Sequence, residues 1–513
     1  MLRRLSLAVA VLASFLVVGG AVAAPVNPLD GPYPQVHGEM VTGIPAGKPC
    51  TVTVVKDFRF HNTAYGQDAP FEGDYLPGCA GPWSKVVMTM SATVKTGTQF
   101  DRIGDVLVGG VTLLHLTTAE GESGETSWSI QRDVTEYSSV LSSKQPAYFI
   151  IGNQTDGTYT GDFFGTLTFD FYKGTAPVVA DSVIGISPGV NKGLPTRSDD
   201  KPLTSSVVVP KNTTELTAEV FASGHGAEEE DWWNAPFVCV SGGIPYREIS
   251  VSVDGRLAGI APVFPTIYTG GYGPDFWRPF PSPRAFNLRP YSLDLTPFVG
   301  QLTDGAAHSI SIATIGHTGC EGYWFLGGNL LVTTNHKDQG RTTGGVTSVV
   351  GDAKPTSTTL GTQAVTVDRT TSAHHLEVTG VVRPAGLPAF TVKVVHDATN
   401  TAVDAAVDVK SDWTWDATVT KDGSTVLSQH SVYGLIRTGP TWHLTDDYDL
   451  AVGKRTWTYR DTMHTAGPVL GVTGVVGASQ ETWSLKGSDG VCATHQLVGA
   501  VQNVLVDTVD ATC

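Results

Sequence analysis

The sequence predicts an all-β protein: two tandem β-sandwich domains followed by a third β-rich domain. Three observations carry this. Apolar and polar residues alternate with period two through most of the chain after residue 45, as in Gly165-Thr-Leu167-Thr-Phe169-Asp-Phe171 and Ile249-Ser-Val251-Ser-Val253. That is the spacing at which a strand buries one face. Such runs end in dipeptides that accept φ > 0 and close tight hairpins, Asp254-Gly255 after Val253 and Asp422-Gly423 after Trp413-Thr-Trp415. The 513 residues also include 58 glycines and 30 prolines, and no ten-residue stretch beyond the N-terminal segment has helical period.

Residues 1–23 read as a signal peptide. Arg3 and Arg4 precede an apolar stretch that ends in Ala21-Val22-Ala23, the small-residue pattern of a cleavage site. No later run approaches the ~18 apolar residues of a spanning helix. The expectation is an exported protein, extracellular or periplasmic, with no membrane attachment after cleavage. The net charge of −16 and the lack of a Lys/Arg-rich run exclude a nucleic-acid binder. The 41 % apolar content excludes intrinsic disorder. Six cysteines are an even number, and none forms C-x-x-C. An oxidising compartment favours bridges, and neighbourhood suggests Cys50–Cys79, Cys239–Cys320 and Cys492–Cys513. Zinc would need clustered ligands.

The first sandwich is expected over 24–175 and the second over 176–340. They share a weak repeat: Asp133-Val-Thr135-Glu-Tyr137-x-x-x-Leu141 is echoed by Asp294-Leu-Thr296-Pro-Phe298-x-x-x-Leu302. In each, Thr is placed to cap one helical turn, with Pro297 at a first-turn position that tolerates it. Upstream, Phe100-Asp101-Arg102 leads into a strand and the Gly109-Gly110 turn. Pro245-Tyr246-Arg247 leads likewise into a strand and Asp254-Gly255. Residues 341–359 are Gly/Ser/Thr-rich and read as a linker, and 360–513 as the third β domain. Its neighbours His374 and His375 would point to opposite faces of a strand, which makes them poor metal partners.

Chemistry is narrowed by exclusion. There is no G-x-S-x-G, no H-E-x-x-H and no phosphate-binding glycine loop. What remains is carboxylates, arginines and tryptophans in glycine-rich loops, a combination suited to neutral, hydroxyl-rich ligands. Four segments stand out. In Gln99-Phe-Asp101-Arg102-Ile103, an adjacent cation would keep the carboxylate ionised and able to orient water. In Gly224-His225-Gly226-Ala-Glu228-Glu229-Glu230-Asp231-Trp232-Trp233-Asn234, crowded acids would raise one carboxyl pKa. The third runs from Tyr268-Thr-Gly270-Gly271 to Trp277-Arg278-Pro279, and the fourth is the Gly152-Asn153 to Gly161 loop. Residue type alone also allows an ion pair, a solvated acidic loop, a compact Ω-loop and a hairpin loop, respectively.

Taken in order, these pieces resemble the peptide:N-glycosidase A family. The resemblance runs through Lys48-Pro49-Cys50, Lys56-Asp57-Phe58-Arg-Phe60, Gln99-Phe-Asp101-Arg102-Ile103, Trp128 to Tyr137, and Gly152-Asn153 with Thr158-Tyr159-Thr160-Gly161. It continues through Glu230 and Trp232, Arg247-Glu248, Asp254-Gly255, and Tyr268 to Pro279. It is strong over about 45–335 and thins to Tyr459-Arg460-Asp461 and the Cys492/Cys513 pair. The resemblance implies jelly-roll-like sandwiches and hydrolysis of the amide joining asparagine to N-acetylglucosamine, with no cofactor and no metal.

By the same resemblance Asp101 is the leading catalytic residue, with Arg102 fixing its charge, and Glu230 is the second acid. Asp231 departs from the family pattern, so Glu229, Glu230 and Asp231 all stay open for that second role. Trp232 and Trp277 are expected to stack on sugar, and Arg278 to polarise the amide or hold the peptide. Arg247 and Asn153 complete the expected substrate-binding set. The expected partner is an N-glycopeptide or denatured N-glycoprotein, met by a monomer. The rival readings are a lectin-like protein on the same scaffold and a glycoside hydrolase using a carboxylate pair.

Overall fold

The computed structural model describes residues 36–38, 40–61, 70–121, 124–186, 196–198, 201–226, 228–229, 231–234, 245–268, 282–316, 322–360, 368–405, 408–439, 441–466, 478–488, 491–500 and 503–510. Residues 1–23, Glu230, Trp277, Arg278, Cys239, Cys320 and Cys513 lie outside them. The described chain is almost entirely antiparallel sheet. The first group of strands is β1 (Val36–His37), β2 (Cys50–Phe60), β3 (Phe71–Tyr75), β4 (Trp83–Val94), β5 (Ile103–Val108), β6 (Val111–Thr117), β7 (Thr126–Asp133), β8 (Gln145–Ile151) and β9 (Phe163–Lys173). It makes two sheets, ordered β1-β7-β4-β9-β2 and β3-β8-β5-β6. The second group is β10 (Ser182–Ile186), β11 (Thr196–Ser198), β12 (Leu203–Val207), β13 (Thr213–Gly226), β14 (Glu248–Val253), β15 (Arg256–Pro262), β16 (Tyr291–Asp294), β17 (His308–Ile315) and β18 (Gly322–Thr334). Its sheets run β10-β18-β13-β16, with β11 on β18, and β12-β17-β14-β15.

The two groups share one strand order. Substituting β16, β13, β18 and β10 for β7, β4, β9 and β2 reproduces one sheet; β12, β17, β14 and β15 for β3, β8, β5 and β6 reproduces the other. The local devices repeat as well. Hairpin β5–β6 turns on Gly109 (φ 65°) and Gly110 (φ 76°), and β14–β15 on Asp254 (φ 49°) and Gly255 (φ 77°), the backbone signs that match strand twist in a two-residue turn. The paired Asp-x-Thr motifs each start a 3₁₀ turn that runs into a four-residue helix, α1 (Ser138–Leu141) in the first group. The cap differs from the expected one. The Asp133 carboxylate accepts the Thr135 N–H at 3.0 Å and Asp294 accepts the Thr296 N–H at 2.8 Å. The threonine hydroxyls instead accept from neighbouring strands, from Val86 N–H at 2.9 Å and Leu216 N–H at 3.2 Å.

The third group is one long meander: β19 (Thr343–Gly351), β20 (Thr356–Leu360), β21 (Asp368–Arg383), β22 (Phe390–Ala405), β23 (Asp408–Lys421), β24 (Ser424–Thr438), β25 (Thr441–Val452), β26 (Arg455–Ala466), β27 (Ala478–Gly487), β28 (Cys492–Ala500) and β29 (Asn503–Asp510). Each strand from β21 to β29 pairs with the next, and both β19 and β20 flank β21. The stretch 341–359, read as a linker, is therefore corrected: most of it is sheet. Its glycines serve close approach rather than slack. A Cβ on Gly344 would sit 1.9 Å from the Val381 carbonyl, and one on Gly300 would sit 2.4 Å from Gly344. The Ser/Thr content belongs to exposed flanking strands.

Layers stack through one kind of strand. β6 is buried at every position because one face fills its own sandwich and the other meets the second. Thr112 and Asn329 exchange two hydrogen bonds of 3.1 and 2.8 Å, and the Leu288 N–H donates to the His115 carbonyl at 2.9 Å. Its counterpart β15 is buried over its last five residues and packs on β22 and β23. The Cys50–Cys79 bridge is present, and Cys492 is disulfide-bonded as well. His374 and His375 do face opposite ways: His374 is buried, at 2.8 Å from Glu248, while His375 pairs with Asp397 on the exposed face at 2.7 Å. Among the described residues no helix is long and apolar enough to cross a membrane.

Candidate active site

The Asp101 segment enters β5 over a buried glutamine hub. The Gln99 amide nitrogen donates to Asn153 Oδ1 (2.6 Å), the Gln154 carbonyl (3.0 Å) and the Gly161 carbonyl (2.9 Å). Its oxygen accepts from Arg102 Nε (2.9 Å) and Nη2 (2.7 Å) and from the Phe100 N–H (3.2 Å). The guanidinium also lies over the Tyr159 ring, 5.0 Å from its centroid. A neutral acceptor thus aims Arg102 while leaving its positive charge at work on the neighbouring carboxylate.

Across the hairpin, the Arg102 N–H donates to Thr118 Oγ1 (2.8 Å) and the Asp101 N–H to Glu120 Oε1 (3.4 Å). The Asp101 and Glu120 carboxyls share a hydrogen bond, and Asp101 is pushed up to about 6. Burial is the dominant cause, opposed by the Arg102 charge, the backbone and Glu120. A carboxyl held there can take up or return a proton near neutral pH.

The second sandwich supplies the facing wall. β13 ends at Gly226, and the acidic loop folds back over it. That fold-back needs bare backbone: a Cβ on Gly224 would lie 2.0 Å from the Glu228 carbonyl, and one on Gly322 would lie 2.4 Å from the Glu228 nitrogen. Glu228 is buried and pairs with Arg247 through two bonds, Nε–Oε2 at 2.6 Å and Nη2–Oε1 at 2.8 Å, while Trp324 Nε1 donates to Oε2 at 3.0 Å. Arg247 in turn lies over Trp232 at 5.6 Å. Trp232 packs edge-on against Trp413 of β23 (6.2 Å), and Trp233 against Trp442 of β25 (5.9 Å).

Three expected binding residues are corrected by this geometry. Trp232 is 2 % exposed and Arg247 1 %, so neither presents a face to sugar; together they anchor the acidic loop. Asn153 is also 1 % exposed, and its Nδ2 donates to the Phe60 carbonyl at 2.6 Å. It holds Gln99, and through it Arg102. Glu229 stays half-buried at the loop's rim, with its N–H on the Gly226 carbonyl at 2.9 Å.

The two walls converge at Tyr268. Its phenol is pushed well above its ordinary value, by burial first and then by the charges of Glu229 and Asp101. The charges of Asp101 from the first sandwich and of Glu229 from the second thus both reach the Tyr268 phenol. The profile of the peptide N-acetyl-β-D-glucosaminyl asparaginase amidase A family matches residues 39–350, more than half of the chain. The chain belongs to this family.

A curated relative, peptide-N4-(N-acetyl-β-glucosaminyl)asparagine amidase A of Prunus dulcis, is 31 % identical over 341 residues, covering 59 % of this chain. The chain spans 58 % of that relative's length. Among solved structures, PNGF-II in its C2 crystal form is 14 % identical, with a TM-score of 0.41 over 56 % of this chain and 66 % of its own. PNGase F of Flavobacterium meningosepticum is 13 % identical, with a TM-score of 0.39 over 56 % of this chain and 97 % of its own.

For this amidase A family member, the structure adds residues that the sequence reading missed. Glu120 is one: counting back from the Gly109-Gly110 turn places it opposite the Asp101 segment, so the hairpin itself held the signal. Gln99 is the second, a neutral residue whose role depends on loops more than fifty positions away. Tyr268 is the third, inside the glycine-rich segment but assigned no role from sequence. Trp277, Arg278 and the Glu230 candidate lie outside the described residues, as does the Asp231 side chain.

Proposed function

We propose that this chain hydrolyses the amide between an asparagine side chain and the first N-acetylglucosamine of an N-glycan. The whole glycan leaves as a glycosylamine and the peptide keeps aspartate. The substrate would be an N-glycopeptide or a denatured N-glycoprotein, met outside the cytoplasm by a monomeric enzyme. The observation that carries this reading is the Asp101–Glu120 carboxyl pair, set beside Arg102.

Water attacks the side-chain carbonyl carbon while the Asp101 carboxylate takes its proton, the role that a carboxyl held near neutrality suits best. The tetrahedral intermediate places negative charge on the former carbonyl oxygen, where preorganised donors are worth most. The C–N bond then breaks and the nitrogen leaves with a proton. The charges of Glu229 and Asp101 both bear on Tyr268, and one acid of the Glu229–Asp231 set is assigned the sugar side. The hydrogen bond from Glu120 favours the charged form of Asp101, and Gln99 keeps Arg102 aimed.

The test is to incubate the purified protein with a defined N-glycopeptide and weigh both products. Conversion of asparagine to aspartate with release of the intact glycan supports the amidase. A peptide that keeps one N-acetylglucosamine indicates a glycosidase instead, and glycan binding without cleavage indicates a lectin.

A further inference from the structure

Two histidines stand side by side on the outer face of the long sheet. His443 on β25 and His464 on β26 are directly opposite each other. Their chain neighbours Trp442, Leu444, Met463 and Thr465 are all buried, so strand alternation turns both imidazoles outward. There His443 is half-buried and His464 exposed. The ring centroids are 6.0 Å apart and the planes meet at 59°. Neither ring has a hydrogen bond or an ion pair among the described residues. Other surface histidines are tied to aspartates: His61 to Asp162 (3.2 Å), His336 to Asp181 (2.9 Å), His375 to Asp397 (2.7 Å) and His430 to Asp416 (2.7 Å).

The spacing is that of two rings able to share an ion. With metal–nitrogen distances of about 2.0–2.1 Å, two imidazoles on one ion hold their centroids about 5–6.5 Å apart. The observed 6.0 Å falls within that interval. The next residues in the same cross-strand row, Ile436 on β24 and Gln480 on β27, are uncharged, so no adjacent carboxylate competes for a ring nitrogen. Burial and the neighbouring His464 charge hold the His443 pKa below its ordinary value, and the neutral imidazole is the form that binds metal. A net charge of −16 draws cations of every kind to the chain. Imidazole nitrogen discriminates among them: it suits zinc, nickel and copper, whereas calcium and magnesium require oxygen.

We propose that His443 and His464 bind one divalent transition cation of the zinc, nickel and copper class, with water in the remaining positions. Among the described residues no group of three His, Cys, Asp or Glu side chains is placed to hold an ion, so this is a two-ligand site. It does not depend on the amidase reading, and the hydrolysis has no step through it. Its effect is on the sheet. The strands of hairpin β25–β26 pair from Val452–Arg455 at the turn to Thr441–Ala466 at the open end, and the two histidines lie at that open end. An ion there closes the hairpin as a clip closes a long loop. β25 also carries Trp442, which packs against Trp233 of the acidic loop, so the clip braces the strand on which that loop is seated.

The experiment uses the untagged full chain, freed of metal with a chelator and titrated calorimetrically with ZnCl₂, NiCl₂ or MgCl₂. One equivalent of zinc or nickel should bind ahead of any weaker surface binding, and magnesium should not compete for it. Zinc should raise the melting temperature by a few degrees. In ¹⁵N-histidine spectra, His443 and His464 should be the first resonances that zinc shifts. Partners outside the ligand shell are alone worth about 10–100-fold in metal affinity, so His443→Ala and His464→Ala should each weaken binding by about tenfold or more and remove the melting shift. His375→Ala and His430→Ala should leave both readouts unchanged. Metal-free variants that melt with the metal-free wild type exclude misfolding as the cause. Wild-type protein that binds no zinc, full affinity in His443→Ala or His464→Ala, or an equal loss in His375→Ala or His430→Ala would each overturn the proposal.

Discussion

At the scale of single residues, the candidate site sets catalysis against stability, and Asp101 shows the sign. A carboxyl held at about 6 when folded and near about 4 when unfolded binds its proton more tightly in the folded protein. Charging it therefore costs stability: the penalty is absent below about pH 4, grows as pH rises and is complete above about pH 6. As the base, Asp101 must be charged, so kcat/KM should fall on the acid side with an apparent pKa near 6. Asp101→Asn should abolish deglycosylation and raise stability by about 1–2 kcal/mol at pH 7.5, the gain vanishing at pH 4. Denaturant melts at both pH values check it, and a variant less stable than wild type at pH 7.5 would contradict the assigned burial cost. Gln99→Leu tests the hub separately. It removes the Gln99 acceptor from Arg102 and buries the freed side of Asn153, so activity should drop at least tenfold while Asp101 itself stays in place.

At the scale of elements, the acidic loop is only as ordered as the sheet beneath it. The four-residue helix α2 (Asp231–Asn234) is too short to hold itself. Its two tryptophans instead seat on Trp413 and Trp442, which reach it from β23 and β25. Trp442→Ala should therefore speed amide hydrogen exchange over residues 228–234 and lower kcat/KM, while protection in β4 and β9 is unchanged. Exchange that rises uniformly across the chain, or not at all, would sink this assignment.

The same contacts mark where sequence reading stopped. The Asp-Gly and Gly-Gly hairpins and the Asp101-Arg102 pair were legible because each signal lies within a few adjacent residues. The paired Asp-x-Thr turns revealed the repeated architecture for the same reason. Trp232 read as a sugar platform because nothing local says that Trp413, nearly two hundred residues on, will cover it. Arg247 and Asn153 read as binding groups because a buried ion pair and a buried amide hub use the residue types that a ligand site uses. The Gly/Ser/Thr tract over 341–359 read as slack because composition cannot distinguish a flexible glycine from one that a neighbouring carbonyl requires.

At the scale of the molecule, the long sheet docks on the second sandwich through charges as well as rings. The Asp446 carboxylate is fully buried and accepts from Arg284 Nε and Nη2 at 2.7 and 2.6 Å and from Arg289 Nη2 at 2.5 Å. Arg284 also lies over Phe264 (4.4 Å) and Tyr433 (4.9 Å), binding β15's outgoing chain to β24. Burial alone would raise the Asp446 pKa, but the two guanidinium charges and their hydrogen bonds hold it below the ordinary value. Its contribution is therefore complete above the unfolded carboxyl value and is lost as pH falls through the lower, folded one.

The second polar tether has the opposite sign. His374 meets Glu248 at 2.8 Å and the Asp352 carbonyl at 2.8 Å. Burial lowers its pKa, but the bonds and the Glu248 charge outweigh it and the net shift is upward. That contribution is complete below the unfolded histidine value and is lost as pH rises through the folded one. Docking of the sheet should thus be strongest in mildly acidic solution, between the two losses. Asp446→Ala leaves two guanidinium groups without their buried carboxylate and should cost about 3–5 kcal/mol. His374→Ala should cost less, and its cost should shrink from pH 5.5 to pH 8.5. Because the acidic loop stands on this sheet, limited proteolysis of Asp446→Ala should open the 228–234 segment and deglycosylation should fail together with it. A variant that lost stability but kept an ordered, active loop would show that the sheet is a passenger rather than part of the site.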